Sequence, residues 1–306
     1  MKHHFSLCLL VGWAIFSCLT ACSGNDNLPD NTEGSSDGKF RPAESIVRAF
    51  ESRYPEATQV SWEEENGYYV ADFVMNSRTA SAWFGANGEW RLGRIPVAYG
   101  EVEPIVADAF ALTSYAEWEV KEAYTLNRKE LVPVYTLNVT NTHTLSNLYF
   151  TRNGDFIKVI DDVNNHTDAP VVIPTALIGA INQLYSNVEI ADISVIDVIN
   201  LEISVGLLQD ETYLTAIFSK NYNWIVTFRN LTVASLPPAV WAGFNASPYA
   251  SLPLSRIRAM QSATATTYLF YLIKNNKTMI AEFNSDGRLT TVISRDHVMA
   301  KYLLTI

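Results

Sequence analysis

Apolar residues recur at helical spacing from Pro42 to Tyr54, where Ile46, Ala49, Phe50 and Tyr54 share one face before Pro55 stops the helix. Three further stretches repeat the form: Pro104 to Tyr115, Pro174 to Tyr185 and Pro237 to about Phe244. Each opens near a proline, which suits a first helical turn, and ends near an aromatic residue. Strand-like, β-rich runs follow, such as Thr58 to Glu64 and Tyr68 to Met75, with Asn66-Gly67 marking the turn between them.

A recurring phrase closes each stretch: FGANGEW from Phe84 to Trp90, FTRNGDF from Phe150 to Phe156, FSKNYNW from Phe218 to Trp224 and FNSDGRL from Phe283 to Leu289. The leading phenylalanines lie 66, 68 and 65 positions apart, which predicts four copies of one unit, a helix plus four strands. Asn-Gly or Asp-Gly between apolar runs supplies the positive φ angles of a tight hairpin. A two-residue loop would set Phe84 and Trp90 on opposite faces, because side chains alternate along a strand. A three-residue loop ending in a left-handed glycine, with its bulge, pairs them on one buried face. The third copy lacks the glycine, so its left-handed residue is expected at Asn221 or Asn223.

One helix on a small sheet buries little surface, and pairing two copies over a shared core is the simpler solution. The expected fold is therefore α+β: two tandem modules, residues 40–162 and 170–306, each with two helices covering one face of an antiparallel sheet. The polar segment from Asp161 to Pro170 reads as the linker. Asp162, Asn164 and His166 alternate within it, but Thr167 and Ile173 stand where a helix-loop-helix calcium site needs Gly and Glu. No metal is expected there.

At the N-terminus Met1-Lys2 precedes an apolar run from Phe5 to Leu19 and then Leu19-Thr20-Ala21-Cys22, the layout of an export signal. The run is short for a membrane span. Residues 1–21 are expected to be removed, and 22–39, rich in Ser, Gly, Asn and Asp, to form a flexible tether. Cys8, Cys18 and Cys22 are all the cysteines of the chain, so the mature protein would keep one and form no internal disulfide.

Net charge is −10, about −11 once Lys2 is lost, and no basic cluster with interleaved aromatics appears, so nucleic-acid binding is not expected. After the leader only His143, His166 and His297 remain, far apart in sequence. No phosphate-binding loop, dinucleotide fingerprint or Gly-x-Ser-x-Gly elbow is present. Glu63-Glu64-Glu65 reads as a solvated strand end, since contiguous carboxylates alternate faces rather than flank a bond. The expectation is a non-enzyme with no cofactor.

The remaining candidate is the sheet face turned away from the helices. If Phe84 and Trp90 face the helices, Trp83 and Arg91 point away, as do Tyr149 and Ile217, and by the same alternation Tyr68 and Asp72 join them. Tyr68, Asp72, Trp83, Arg91 and Tyr149 are thus the candidate binding residues, of the types that form protein-interface hot spots.

With its Leu-Thr-Ala-Cys lipobox, its helix-plus-four-strand unit and its Phe-x-x-Asn/Asp-Gly hairpins, the chain resembles the β-lactamase-inhibitor-like, PepSY-like domain proteins found as secreted proteins and lipoproteins in Bacteroidetes. The resemblance implies helices backing antiparallel sheets, and it runs from about residue 40. Cleavage before Cys22 and lipidation of its sulfur are what a lipobox implies, with the lipid as the link to the membrane, most simply the outer membrane. Two function classes follow. One is an envelope module whose sheet face binds, and in an inhibitory role blocks, a protein partner; it requires Trp83, Tyr149 and Tyr68 to be exposed together. The other is a glycan-binding or nutrient-uptake accessory protein, which requires a groove with an aromatic side chain flanked by carboxylates or amides.

Overall fold

The computed structural model describes residues 40–162, 168–197, 200–275 and 277–294, which belong to one compact unit. Helix α1 (Glu44–Arg53) leads into strands β1 (Thr58–Glu65), β2 (Tyr68–Met75), β3 (Arg78–Phe84) and β4 (Trp90–Val97). Helix α2 (Pro104–Ala111) follows, then β5 (Glu119–Arg128), β6 (Val134–Thr140), β7 (Leu145–Thr151) and β8 (Phe156–Asp162). Helix α3 (Thr175–Leu184) precedes β9 (Val188–Asp197), β10 (Glu202–Gln209), β11 (Thr212–Phe218) and β12 (Trp224–Leu231). Last come α4 (Pro238–Asn245), β13 (Leu254–Gln261), β14 (Thr266–Lys274), β15 (Lys277–Asn284) and β16 (Leu289–Ser294).

The strands form two eight-stranded antiparallel sheets, β1 to β8 and β9 to β16, each in sequence order. Every neighbour along the chain is therefore a neighbour in the sheet, the cheapest pairing for loop closure. In the first sheet α1 packs through Ile46 and Phe50 on Phe73, Ala80 and Phe84, and α2 through Val106 and Phe110 on Leu137, Leu148 and Phe150. Strand register puts both helices on one face. In the second sheet α3 packs on Val205, Leu207, Leu214 and Phe218, and α4 on Ile257, Phe270, Leu272 and Phe283.

The hairpins show why the phenylalanines recur. Phe84 pairs with Trp90, Phe150 with Phe156, Phe218 with Trp224 and Phe283 with Leu289, and all four phenylalanines are fully buried on the helix side. Gly85 N–H donates to Glu89 O at 2.8 Å and Gly88 N–H to Gly85 O at 2.9 Å, which closes a three-residue loop with Gly88 at φ +79°. Gly154 repeats this at φ +82°. It has a second constraint, because a Cβ there would lie 2.7 Å from the carbonyl oxygen of Ile105 in α2. The third hairpin corrects the expectation of an asparagine: the left-handed residue is Tyr222, at φ +61°. Its ring packs against the α3 cluster, so packing offsets a backbone strain on the order of 1–2 kcal/mol.

Each hairpin also carries an irregularity that changes the predicted parity. Phe84 faces Trp90, yet Trp83 faces Leu92, so Arg91 is the extra residue of a bulge. Leu92, not Arg91, therefore partners Trp83 on the face away from the helices.

Candidate functional site

The helix-free face of the first sheet brings the predicted aromatics together and then covers them. Trp83 is 4% exposed and Tyr149 2% exposed, in one cluster with Val70, Leu92, Leu126 and Val134, and Tyr68 packs on its edge. Ala191 of β9 and Tyr213 of β11 belong to the same cluster, so the second sheet supplies the cover. The expected exposed patch is thus corrected: these rings face away from the helices but toward a neighbouring layer. Ile217 is likewise buried on the helix-free face of the second sheet. Asp72 accepts a 2.6 Å hydrogen bond from Ser81 Oγ, and Arg91 forms an ion pair with Glu89.

Charges pin this junction. Asp192 of β9 accepts from Arg128 Nη1 at 3.0 Å and from Lys158 Nζ at 3.0 Å and 3.1 Å. Arg128 Nη2 also donates to Ala191 O at 2.6 Å, and Ser194 Oγ donates to Asp192 at 2.9 Å. Burial alone would raise the Asp192 pKa, but the charges of Lys158 and Arg128 outweigh it and hold the carboxyl below its ordinary value. The chain leaving the first sheet adds a clamp: Asp168 accepts from Tyr149 Oη at 2.9 Å and lies 3.5 Å from Arg94 Nε. Arg94 stacks on Tyr124 at 3.5 Å, and burial, with the Glu122 hydrogen bond, raises the Tyr124 pKa. Asp192, Asp168 and Tyr149 are thus held by partners within the junction, while Glu122 and Tyr124 also line a separate pocket beside Tyr99 and Lys121.

An open groove lies on the helix side of the second sheet. Two helices about 10 Å across cover roughly 20 Å of an eight-stranded sheet about 34 Å wide, so a strip stays bare. The strip falls over β12 to β14 beside the end of α3. It encloses about 500 Å³ and is lined by Tyr185, Trp224 and Tyr268, the amides of Gln209 and Gln261, and Arg229. Leu214 and Ala259 contribute apolar lining. Trp224 Nε1 donates to Thr227 Oγ1 at 2.8 Å, and the same oxygen hydrogen-bonds Tyr185 Oη. That shared bond fixes two rings against each other. The volume falls within the range of small-ligand sites, about 300–1,000 Å³.

Sequence reasoning used Tyr185 as a helix end and Trp224 as a hairpin partner and missed their convergence. A signal was present: Thr227 and Arg229 occupy helix-facing positions of β12, where a polar row interrupts the apolar register.

Among the described residues no group of three or more His, Cys, Asp or Glu could hold a metal. His143 sits exposed in the β6–β7 loop, while His166 and His297, like Cys22, residues 1–39 and the Asn164 position of the linker, lie outside the described residues. No described helix is long and apolar enough to cross a membrane.

Similar solved structures come from Bacteroides. One, described as "putative periplasmic proteins" of Bacteroides eggerthii, is 26% identical over 40% of this chain and 90% of that one, with a TM-score of 0.38. A BLIP-like protein of Bacteroides fragilis is 29% identical over 44% of this chain and 97% of that one, with a TM-score of 0.40. No curated protein matches the chain. A family model described as "Putative beta-lactamase-inhibitor-like, PepSY-like" matches residues 67–158 and 202–291, one match within each sheet and together more than half the chain. The chain belongs to this PepSY-like, β-lactamase-inhibitor-like family.

Proposed function

We propose that the chain is a non-catalytic, lipid-anchored cell-envelope protein that binds a glycan in the groove of its second sheet. The observation that carries this is the convergence of Tyr185, Trp224 and Tyr268 with two amides and Arg229. Aromatic faces offer apolar area to the C–H side of a sugar ring, and amides and a guanidinium suit its hydroxyl and carboxylate groups. Half-buried rings held by Thr227 lose little freedom on binding, which favours affinity. The reading of the helix-free face as a protein-binding or inhibitory surface loses its support, because Trp83 and Tyr149 are covered.

The rest of the proposal concerns assembly and location. Four related units, each a helix and four strands, pair into modules at 40–162 and 170–306, following a leader at 1–21 and a tether at 22–39. Leu19-Thr20-Ala21-Cys22 supports lipidation of Cys22 and attachment to the outer membrane. Relatives described as periplasmic fit an envelope location. Nucleic acid, metals and cofactors have no part in this function, and an envelope protein is a partner only through what the glycan tethers.

The test is a calorimetric titration of the full chain with envelope polysaccharides and their oligosaccharides. Saturable binding that falls at least about tenfold in Trp224→Ala, the weight of one stacked ring plus its burial, is expected. Equal binding by both forms removes the groove from the account.

A further inference from the structure

We infer that the helix-free face of the second sheet holds a carboxylate-binding site built on Arg256 and Arg258, a site independent of the groove. Register places Arg256 opposite Tyr271 and Arg258 opposite Leu269, on the face away from α3 and α4. Arg258 is 2% exposed, and its guanidinium stacks on Phe228 at 4.5 Å. Its Nε and Nη1 are buried without a hydrogen-bond partner. Half-buried Arg256 stacks on Tyr271 at 4.3 Å and has that tyrosine as its polar neighbour, with no carboxylate among the described residues bonded to it.

Arg128, also buried, leaves its Nε without a partner too, but its two terminal nitrogens are bonded to a carboxylate and a backbone carbonyl, where Arg258 Nη1 has neither. A guanidinium cannot escape by losing its proton, so burying it unpaired costs several kcal/mol unless an anion arrives. The repulsion between the two arginines adds to this, with burial and the charge of Arg258 both pressing on Arg256. Glu282, one carboxylate of this face, stands two strands from Arg258, paired across Leu269, and the Nε and Nη1 of Arg258 make no bond to it.

The surroundings choose the ligand. Ile217, Val226, Leu269 and Ile280 pack around the two cations, so the occupant that fits is an organic carboxylate with an apolar body. Its two oxygens match the fork of a guanidinium, and its body suits the buried apolar side chains around it. Arg256, at the partly exposed end, marks the approach.

The test is calorimetric titration of the full chain with octanoate, with acetate and inorganic phosphate as comparisons. Expected is saturable octanoate binding, weaker acetate binding, and a loss of about 10- to 100-fold in Arg258→Met, the worth of a charge-assisted hydrogen-bond pair. Arg256→Met, at a half-exposed position, should lose affinity while keeping the native circular dichroism, so the idea survives poor folding of the other variant. In carboxylate-free buffer Arg258→Met should melt no lower than the native chain, since it removes an unpaired buried charge. Absence of octanoate binding to the native chain, phosphate binding as well as octanoate, or equal octanoate binding by Arg256→Met overturns the proposal.

Discussion

Replacing Asp192 by Asn tests the junction that covers the predicted aromatics. Arg128 and Asp192 are 5% and 7% exposed at the side chain, and Lys158 is 23% exposed. At an effective dielectric constant near 20, a contact of 3 Å represents about 5 kcal/mol of gross attraction, most of it offset by desolvation. The larger effect is what remains after the substitution: two cations facing each other with no counter-charge. Losing one partner of a buried pair costs about 3–5 kcal/mol, and Asn keeps one acceptor oxygen, so about 3 kcal/mol is expected. For a chain of this size that is a fall in melting temperature of roughly 6–12 °C. The sign with pH follows from the depressed Asp192 pKa. Its contribution is fully present above the unfolded value, near 4, and is lost as pH falls through the lower folded value. Urea unfolding from pH 7 to 3 should show the native chain losing this component below about pH 4 and Asp192→Asn lacking it. Replacing all three groups with apolar residues (Arg128→Met, Lys158→Met, Asp192→Leu) should recover much of the loss. A single Asp192→Asn substitution that stays within about 0.5 kcal/mol of native at pH 7, as a surface change would, refutes the account of the junction.

Gly154→Ala should cost about 2–3 kcal/mol in chemical denaturation, combining left-handed strain with the approach of Ile105 O; Gly67→Ala, at a similar φ with open space around it, should cost only about 1 kcal/mol. Equal losses would remove the helix contact as a cause. Trp83→Ala should destabilise the fold by about 3–5 kcal/mol, read from its urea midpoint, with unchanged ligand affinity in the folded protein. Intact stability with lost binding would return Trp83 to the list of contact residues. Cys22→Ala should abolish detergent-phase partitioning of the chain expressed in a Bacteroides host, and retention in that phase would contradict lipidation at this residue.

Helix positions and hairpin type were legible because prolines, Asn-Gly turns and apolar parity are local signals, each acting over a few residues. Tyr222 was not legible, because its left-handed backbone is offset by contacts with α3, which the local sequence does not display. Arg91 failed for a related reason: a bulge shifts parity by one residue, and its position depends on how both strands finish pairing. Parity did assign Trp83, Tyr149 and Tyr68 to one face. What covers that face is set by β9 and Asp168, more than 80 residues from Trp83 in sequence, and no periodicity carries that information. The groove was half visible in the polar row of Thr227 and Arg229, but a groove needs the bare strip between two helices as well as the row.

Saturation-transfer NMR on the full chain with a panel of envelope-derived disaccharides and uronic acids addresses the central claim most directly. The account predicts transfer from aromatic protons to the apolar face of a bound sugar, lost in Trp224→Ala and reduced in Tyr268→Ala, with acidic sugars favoured through Arg229. Transfer that persists undiminished in both variants, or the absence of any sugar that receives it, would contradict a glycan site in this groove.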